Sequence, residues 1–489
     1  MKLTHVAAAL AALVLAAPAG TILSGAPDDT LARIRREGME RSTVEALFAT
    51  LTDEIGPRLT GSPAHKRAAE WARDRLREFG LSDAKLEPFA FGRGWVLDRV
   101  VVEMVEPRYM PLIGYADAWS PPTKGEVIAT PILLDGKSAA DVTAMQGKLA
   151  GAIVMTQPEA LFIKEDRPQP SLSDTPVRIG QPPPVRPRQN NPDARAISDT
   201  VRAAGVGVTI HSSEGEHGTV FVLGRDQQDG IPSVALAGEH YNLVMRMVKR
   251  GMPVKLRVNV QSHYVTDDPD TYNVVAEMPG ADPQLKSDVV LIGAHLDSWH
   301  TGTGASDNAD GAAVVLEAMR ILKAIGAQPK RTIRVALWSG EEQGLLGSKA
   351  YVKQHLEGDA NKEARDRTFA YFNIDPATGP IYGWYAETSE PAKALFDQWL
   401  APLQDLGMRR NVLQGIGNTD HLSFRAAGVP GFNPIQEYKD YDVRMHHTNV
   451  DLYERVREQD LKQNAIVMAW FAWQAATTTE RIPRPQPPQ

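Results

Sequence analysis

Four stretches in the second half of the chain carry side chains that bind metal or move protons, each where an apolar run gives out. The run Val289–Ala294 ends at His295-Leu296-Asp297-Ser298, and Thr332–Trp338 ends at Ser339-Gly340-Glu341-Glu342. Phe369–Ile374 ends at Asp375, and a Gly-rich turn, Thr301 to Asn308, carries Asp307. A second His is offered by His446-His447-Thr448-Asn449-Val450-Asp451. Singly these are weak signals: a His-x-Asp is more often incidental, and adjacent Glu residues usually form a solvated face. Together the carboxylates would repel one another unless cations neutralised them. The chain has no cysteine, so a metal would be held by imidazole and carboxylate, a set suited to zinc and also to cobalt or manganese.

Residues so far apart meet only if the fold brings their strand ends to one edge. From residue 266 onward strand-like and helix-like segments alternate: strands at 289–294, 332–338 and 369–374, helices at 309–325, 345–355, 391–406 and 459–473. This alternation implies an α/β fold, a mostly parallel mixed sheet sandwiched by helices, with ligands at the carboxyl edge of the strands. Upstream, Gly56–Ser62 reads as a loop entering a helix, with Ser62 as cap, Pro63 at the first turn and Gly80 as the stop. A strand is expected from Trp95 to about Val105. Residues 120–262 form a smaller β-rich insert, with strand-like runs at Val127–Leu134, Ala152–Thr156, Val206–Ile210, Thr219–Leu223 and Val254–Val260. A Pro-rich loop spans 167–193; such a loop either shapes a binding surface or is mobile.

The chain resembles the co-catalytic zinc exopeptidases, the family of the bacterial leucyl aminopeptidases and carboxypeptidase Q-like enzymes. The resemblance rests on His295-Leu296-Asp297-Ser298-Trp299, Gly304-Ala305-Ser306-Asp307-Asn308 and Pro329-Lys330-Arg331-Thr332. It continues through Leu337 to Gly344, Thr419-Asp420-His421, Gly428 to Gly431 and His446-His447-Thr448. It implies a phosphorylase/hydrolase-like fold and two Zn2+ ions, with Co2+ or Mn2+ as substitutes. Asp307 would bridge the ions, His295 and Asp375 would complete one site, and Glu342 and His447 the other. Glu341 would act as general base, and Asp297 would hold the His295 ring through its far nitrogen. His446 would not be a ligand. The family pattern also implies a cis bond at Asp307–Asn308. Some relatives place an oxyanion-assisting Tyr before the Asp-His pair, where this chain has Gly415-Ile416-Gly417-Asn418; His421 and Tyr441 are the nearby alternatives. Met145 to Val154 and Ala203 to Gly207 resemble a protease-associated insert.

These readings divide the chain into an export signal (1–19), a first peptidase segment (30–119), the insert (120–262), the main metallopeptidase segment (263–480) and a Pro-rich tail (481–489). Lys2, the apolar run Val6 to Ala17 and the small residues Ala17-Pro18-Ala19 point to cleavage and a periplasmic or extracellular destination; the run is short for a membrane anchor. Lys and Arg total 53 against 60 Asp and Glu, a formal charge of −7, which argues against nucleic acid as partner. The expected activity is aminopeptidase or dipeptidase action on short peptides. The rivals are hydrolysis of other amides, a metal-free binding protein and a single-zinc glutaminyl cyclase. Arg178, Arg186, Arg188 and Arg444 are candidate partners for a substrate carboxylate.

Overall fold

The computed structural model describes residues 29–167, 193–226, 230–375 and 378–485, together with the backbone of 178–179. The expected export signal, Arg186, Arg188, most of the Pro-rich loop and the last tail residues lie outside the described residues.

The main body is built on a seven-stranded sheet, in the order Ser82–Ala90, Asp270–Met278, Thr332–Trp338, Val289–His295, Thr368–Asn373, Gly431–Glu437, Thr378–Tyr385. The four strands from Thr332–Trp338 to Gly431–Glu437 run parallel; Asp270–Met278 and Thr378–Tyr385 run antiparallel to them, and the edge strand Ser82–Ala90 pairs antiparallel with Asp270–Met278. Strand side chains alternate between faces, and this sheet uses both. Val290, Ile292 and Ala294 join Ile333, Val335 and Leu337 in the larger core, under the helices Pro63–Glu78, Asp310–Ala324 and Glu458–Thr477. Leu291, Ala336, Trp338 and Tyr371 face the other way, against Tyr351 and Val352 of Leu346–His355 and Phe424 of His421–Ala426. Each fully buried aliphatic side chain contributes about 1.5–3 kcal/mol, so both covering layers pin the central strands.

The sequence marks that set the upstream helix hold: Ser62 Oγ accepts from the His65 N–H, and Pro63 opens the helix. The long strand Gly94–Glu106 pairs antiparallel with Lys255–Val265. Beside this ribbon lies a five-stranded sheet in the order Gly114–Ala116, Ser233–Leu236, Val208–Ser212, Ile153–Met155, Ile132–Leu133. One core joins the two, drawing on Trp95, Val102 and Met104 as well as Val208, Val234 and Val258.

Three expected elements differ. The run 127–134 breaks into Val127–Ala129 and Ile132–Leu133, because Pro131 between them has no N–H to give a ladder. The helix expected to Leu406 is α-helical only as Glu390–Leu400 and continues as the tighter turn Ala401–Leu406, where Pro402 removes a donor. Thr219–Leu223 joins no sheet. Phe221 forms an isolated antiparallel bridge with Thr448 instead. Among the described residues, no helix is long and apolar enough to cross a membrane.

Candidate metal centre

His295 closes its strand at the carboxyl edge, next to the end of Thr332–Trp338, with which it is in parallel register. The neighbouring strand Thr368–Asn373 delivers Asp375 two residues beyond its end. Asp307 arrives from a tight turn that requires Gly304: its φ is +59, and a Cβ there would stand 2.2 Å from the Ser298 Cβ. The peptide Asp307–Asn308 is cis, as the resemblance implied.

The two carboxylate oxygens of Asp307 face two different partners. Oδ1 lies 3.1 Å from His295 Nε2, which is itself 3.6 Å from Asp375 Oδ1. Oδ2 lies 3.5 Å from His447 Nε2, which is 2.7 Å from Glu342 Oε2. Ligands bound at about 2.0–2.1 Å in a tetrahedron sit roughly 3.3 Å apart; three of these four separations are close to that spacing, and the fourth is a hydrogen-bond distance. His295 Nε2, Asp307 Oδ2 and Glu342 Oε1 are buried and make no hydrogen bond. Orphaned buried polar atoms of this kind are costly, and the donor set suits a divalent cation. His295, Asp307 and Asp375 form one possible ion-holding group and Asp307, His446 and His447 another; His446, expected not to be a ligand, thus lies within reach of the second group, to which Glu342 is joined through its 2.7 Å contact with His447. Its ring stacks between His447, at 3.7 Å, and Tyr441, at 5.1 Å.

Electrostatics give the same answer. Burial works against a proton on His295, yet Asp375, Asp297 and Asp307 raise its proton affinity well above the usual range, so positive charge is wanted at this atom. Burial, reinforced by neighbouring acids, pushes Glu341 and Glu342 well above the usual carboxylate range. Asp310 behaves likewise, and burial carries Asp420 and Asp451 to about 7. Burial also keeps His447 below its ordinary value, hence neutral and able to ligate.

Several positioning groups surround these atoms. The His295 Nδ1 contacts the Asp297 carbonyl at 3.0 Å, while the Asp297 carboxylate is 3.6 Å away. That carboxylate accepts instead from the Glu341 N–H (3.2 Å), the Glu342 N–H (3.3 Å) and Thr60 Oγ1 (2.9 Å). Asp297 thus aims the Glu341-Glu342 turn, and its backbone holds the His295 ring. Trp299 Nε1 donates to Glu342 Oε2 at 2.7 Å. Asp451 accepts from Ser306 N and Oγ, both at 2.8 Å, and from the Asp307 N–H at 3.2 Å. Arg58 is wholly buried and reaches the carbonyls of Leu296, Leu51, Gly56, Thr303 and Gly304. It ties the His295 strand end to the Asp307 turn. Burial pulls its pKa down to about 10, against Asp451, Asp297 and Asp307, so it stays charged at neutral pH. Sequence reasoning passed over Arg58, Thr60 and Trp299 as site residues and gave Asp451 no role.

His421 is buried, with Nε2 3.1 Å from Glu387 Oε1. Tyr441 is buried close enough to feel Asp307 and Asp375, which add to burial in keeping its hydroxyl protonated. Arg444 Nε is 3.3 Å from Asp440 Oδ1, and of Arg178 only the backbone, in a short strand, is described. A cleft of ≈ 1360 Å³ opens onto His446 and His447 and runs along Trp119, Phe221, Leu223 and His211, enough room for a short peptide.

Residues 273–472 match the model of peptidase family M28. Human carboxypeptidase Q is 26% identical over 443 residues, covering 89% of this chain and 86% of that protein. Leupeptin-inactivating enzyme 1 of Streptomyces exfoliatus is 29% identical over 221 residues, 41% of this chain and 48% of its own. The crystal structure of a peptidase M28 precursor from Shewanella amazonensis SB2B superposes with a TM-score of 0.70 at 26% identity, covering 94% of this chain and 99% of its own. BSAP, a zinc aminopeptidase from Bacillus subtilis, shares the fold, with a TM-score of 0.59 at 18% identity over 91% of this chain and 97% of that one.

Proposed function

We propose that the chain, whose residues 273–472 match the model of peptidase family M28 and which is similar to carboxypeptidase Q over most of its length, is a two-zinc exopeptidase acting on short peptides as an aminopeptidase or dipeptidase. The observation that carries this reading is the division of Asp307, with one oxygen toward His295 and the other toward His447. His295 and Asp375 would hold one ion with Asp307, and Glu342 and His447 the other; Co2+ or Mn2+ would fit the same donors.

Bound there, the ions would acidify a water and polarise the scissile carbonyl. The chain's own groups do the rest. Glu341 is fixed by its backbone bond to Asp297, and burial makes its carboxylate a strong proton acceptor. It takes the proton of the attacking water and passes it to the leaving amine, which departs as the amide C–N bond breaks. Arg58 and Asp451 hold the ligand-bearing turns through backbone bonds. The cleft beside His447 receives the peptide. We read residues 120–262 as a protease-associated-like insert over a peptidase domain of 30–119 and 263–480, and the N-terminal segment as an export signal for the periplasm or medium.

The test is hydrolysis of dipeptides and aminoacyl amides, with and without a blocked amino terminus, alongside zinc analysis of the purified protein. The reading expects about two zinc ions per chain and cleavage that requires a free amino group. Rapid cleavage of amino-blocked substrates would overturn the aminopeptidase version.

A further inference from the structure

His295 ends a strand of the main sheet, but His447 lies in an irregular loop after the turn Tyr441–Met445. It also has φ +61, a left-handed conformation unfavourable for a residue with a Cβ. Something must hold it, and the surrounding bonds come largely from two distant segments of the chain. On one side, the Asp166 carboxylate accepts from the backbone N–H groups of Asp440 (2.8 Å), Asp442 (2.9 Å) and Val443 (3.2 Å). The next residue, Arg167, donates from its own N–H and from Nε to Asp442 Oδ2, both at 2.8 Å. Both side chains of this pair are buried, at 4% and 2% exposure, and the guanidinium lies over the Tyr438 and Tyr441 rings.

On the other side, the segment expected to be a strand spends its backbone bonds on the loop. The Val222 N–H donates to the His447 carbonyl at 3.1 Å, and Phe221 bridges Thr448. The Val220 N–H donates to Asn449 Oδ1 at 2.7 Å, and Val220 O accepts from the Asn449 N–H at 3.3 Å. The His447 loop is thus gripped before and after the histidine by residues 166–167 and 220–222.

We propose that Arg167, locked onto Asp442, is a positioning residue for His447, and that the 166–167 and 220–222 segments set the affinity of the metal position His447 serves. This rests on the two-metal reading above. An ordinary buried ion pair would contribute stability without regard to the metal; a positioning pair sets the entropy lost when His447 is recruited as ligand. Removing one partner alone would strand a buried charge and could unfold the protein, so the informative variant is the double Arg167→Gln/Asp442→Asn, with Asp166→Asn as a second that leaves no new buried charge.

The experiment is zinc titration of the full-length metal-stripped protein by calorimetry, with hydrogen exchange over residues 440–449 and peptide hydrolysis at rising zinc. Wild type is expected to take two equivalents. The double variant should keep one affinity unchanged, lose at least tenfold in the other, exchange faster over 440–449, and regain activity as zinc is raised; Asp166→Asn should move the same way by a smaller factor. Two affinities within twofold of wild type in both variants, or activity loss that added zinc does not rescue, would overturn the proposal. Fewer than two equivalents in wild type would overturn the two-metal reading instead.

Discussion

The two halves of the proposed metal centre are built from different materials. The His295 and Asp375 half sits on adjacent parallel strands that are buried on both faces, so its geometry follows from the core. The His447 half is a loop whose shape is borrowed from residues more than two hundred positions upstream. Asp307 belongs to both, and its turn is fixed by Arg58 on one flank and Asp451 on the other.

The largest effect expected is at the residue both halves serve. Glu341→Gln should lower turnover about 10²–10⁴-fold while metal content stays as in wild type; loss of metal together with activity would refute the base assignment. Next comes the stiffness of the sheet half. Ile292→Ala removes a wholly buried side chain from beneath the His295 strand and should cost about 2–5 kcal/mol of stability, read as a fall in the denaturant midpoint. Arg58→Lys keeps the charge but loses the fork that reaches five carbonyls. It should cost about 1–3 kcal/mol and weaken both metal affinities together, unlike the double variant at Arg167 and Asp442, which should weaken one.

The smallest effect concerns the far wall of the cleft, where His211 Nε2 lies 3.0 Å from both oxygens of Asp117. Burial opposes both charges, yet Asp117 raises the His211 pKa and His211 lowers that of Asp117. The raised His contributes stability below its unfolded pKa of about 6.5, lost as pH rises through the folded value. The lowered Asp contributes above about 3.9, lost as pH falls through its own folded value. The pair is therefore fully effective between roughly pH 4 and 6.5. Asp117→Asn should cost about 1–2 kcal/mol at pH 6 and distinctly less at pH 9; a pH-independent cost would remove the ion pair from the account.

The same contrast explains what the sequence disclosed. His295, Glu341, Glu342 and Asp375 were legible because each follows a buried run, and a polar residue at the end of such a run stands out. Arg58 was not, because its partners are backbone carbonyls, which leave no side-chain pattern. Asp451 acts mainly on backbone N–H groups and was hidden for the same reason. Thr219–Leu223 has the apolar texture of a strand, but its partner is the His447 loop, and pairing across so great a separation is invisible to local periodicity. The Asp297 carboxylate was expected on the His295 ring, from which it stands 3.6 Å; it also accepts from Thr60 Oγ1 and from the Glu341-Glu342 turn, bonds that no sequence pattern announces.

The central claim is that Asp307 is shared by two unequal metal positions. It is tested most directly by zinc content per chain in the wild type and in His295→Ala, His447→Ala and Asp307→Ala, each first shown to be folded. The account predicts two, one, one and none. Retention of a full equivalent in Asp307→Ala, or loss of both ions in His447→Ala, would contradict it.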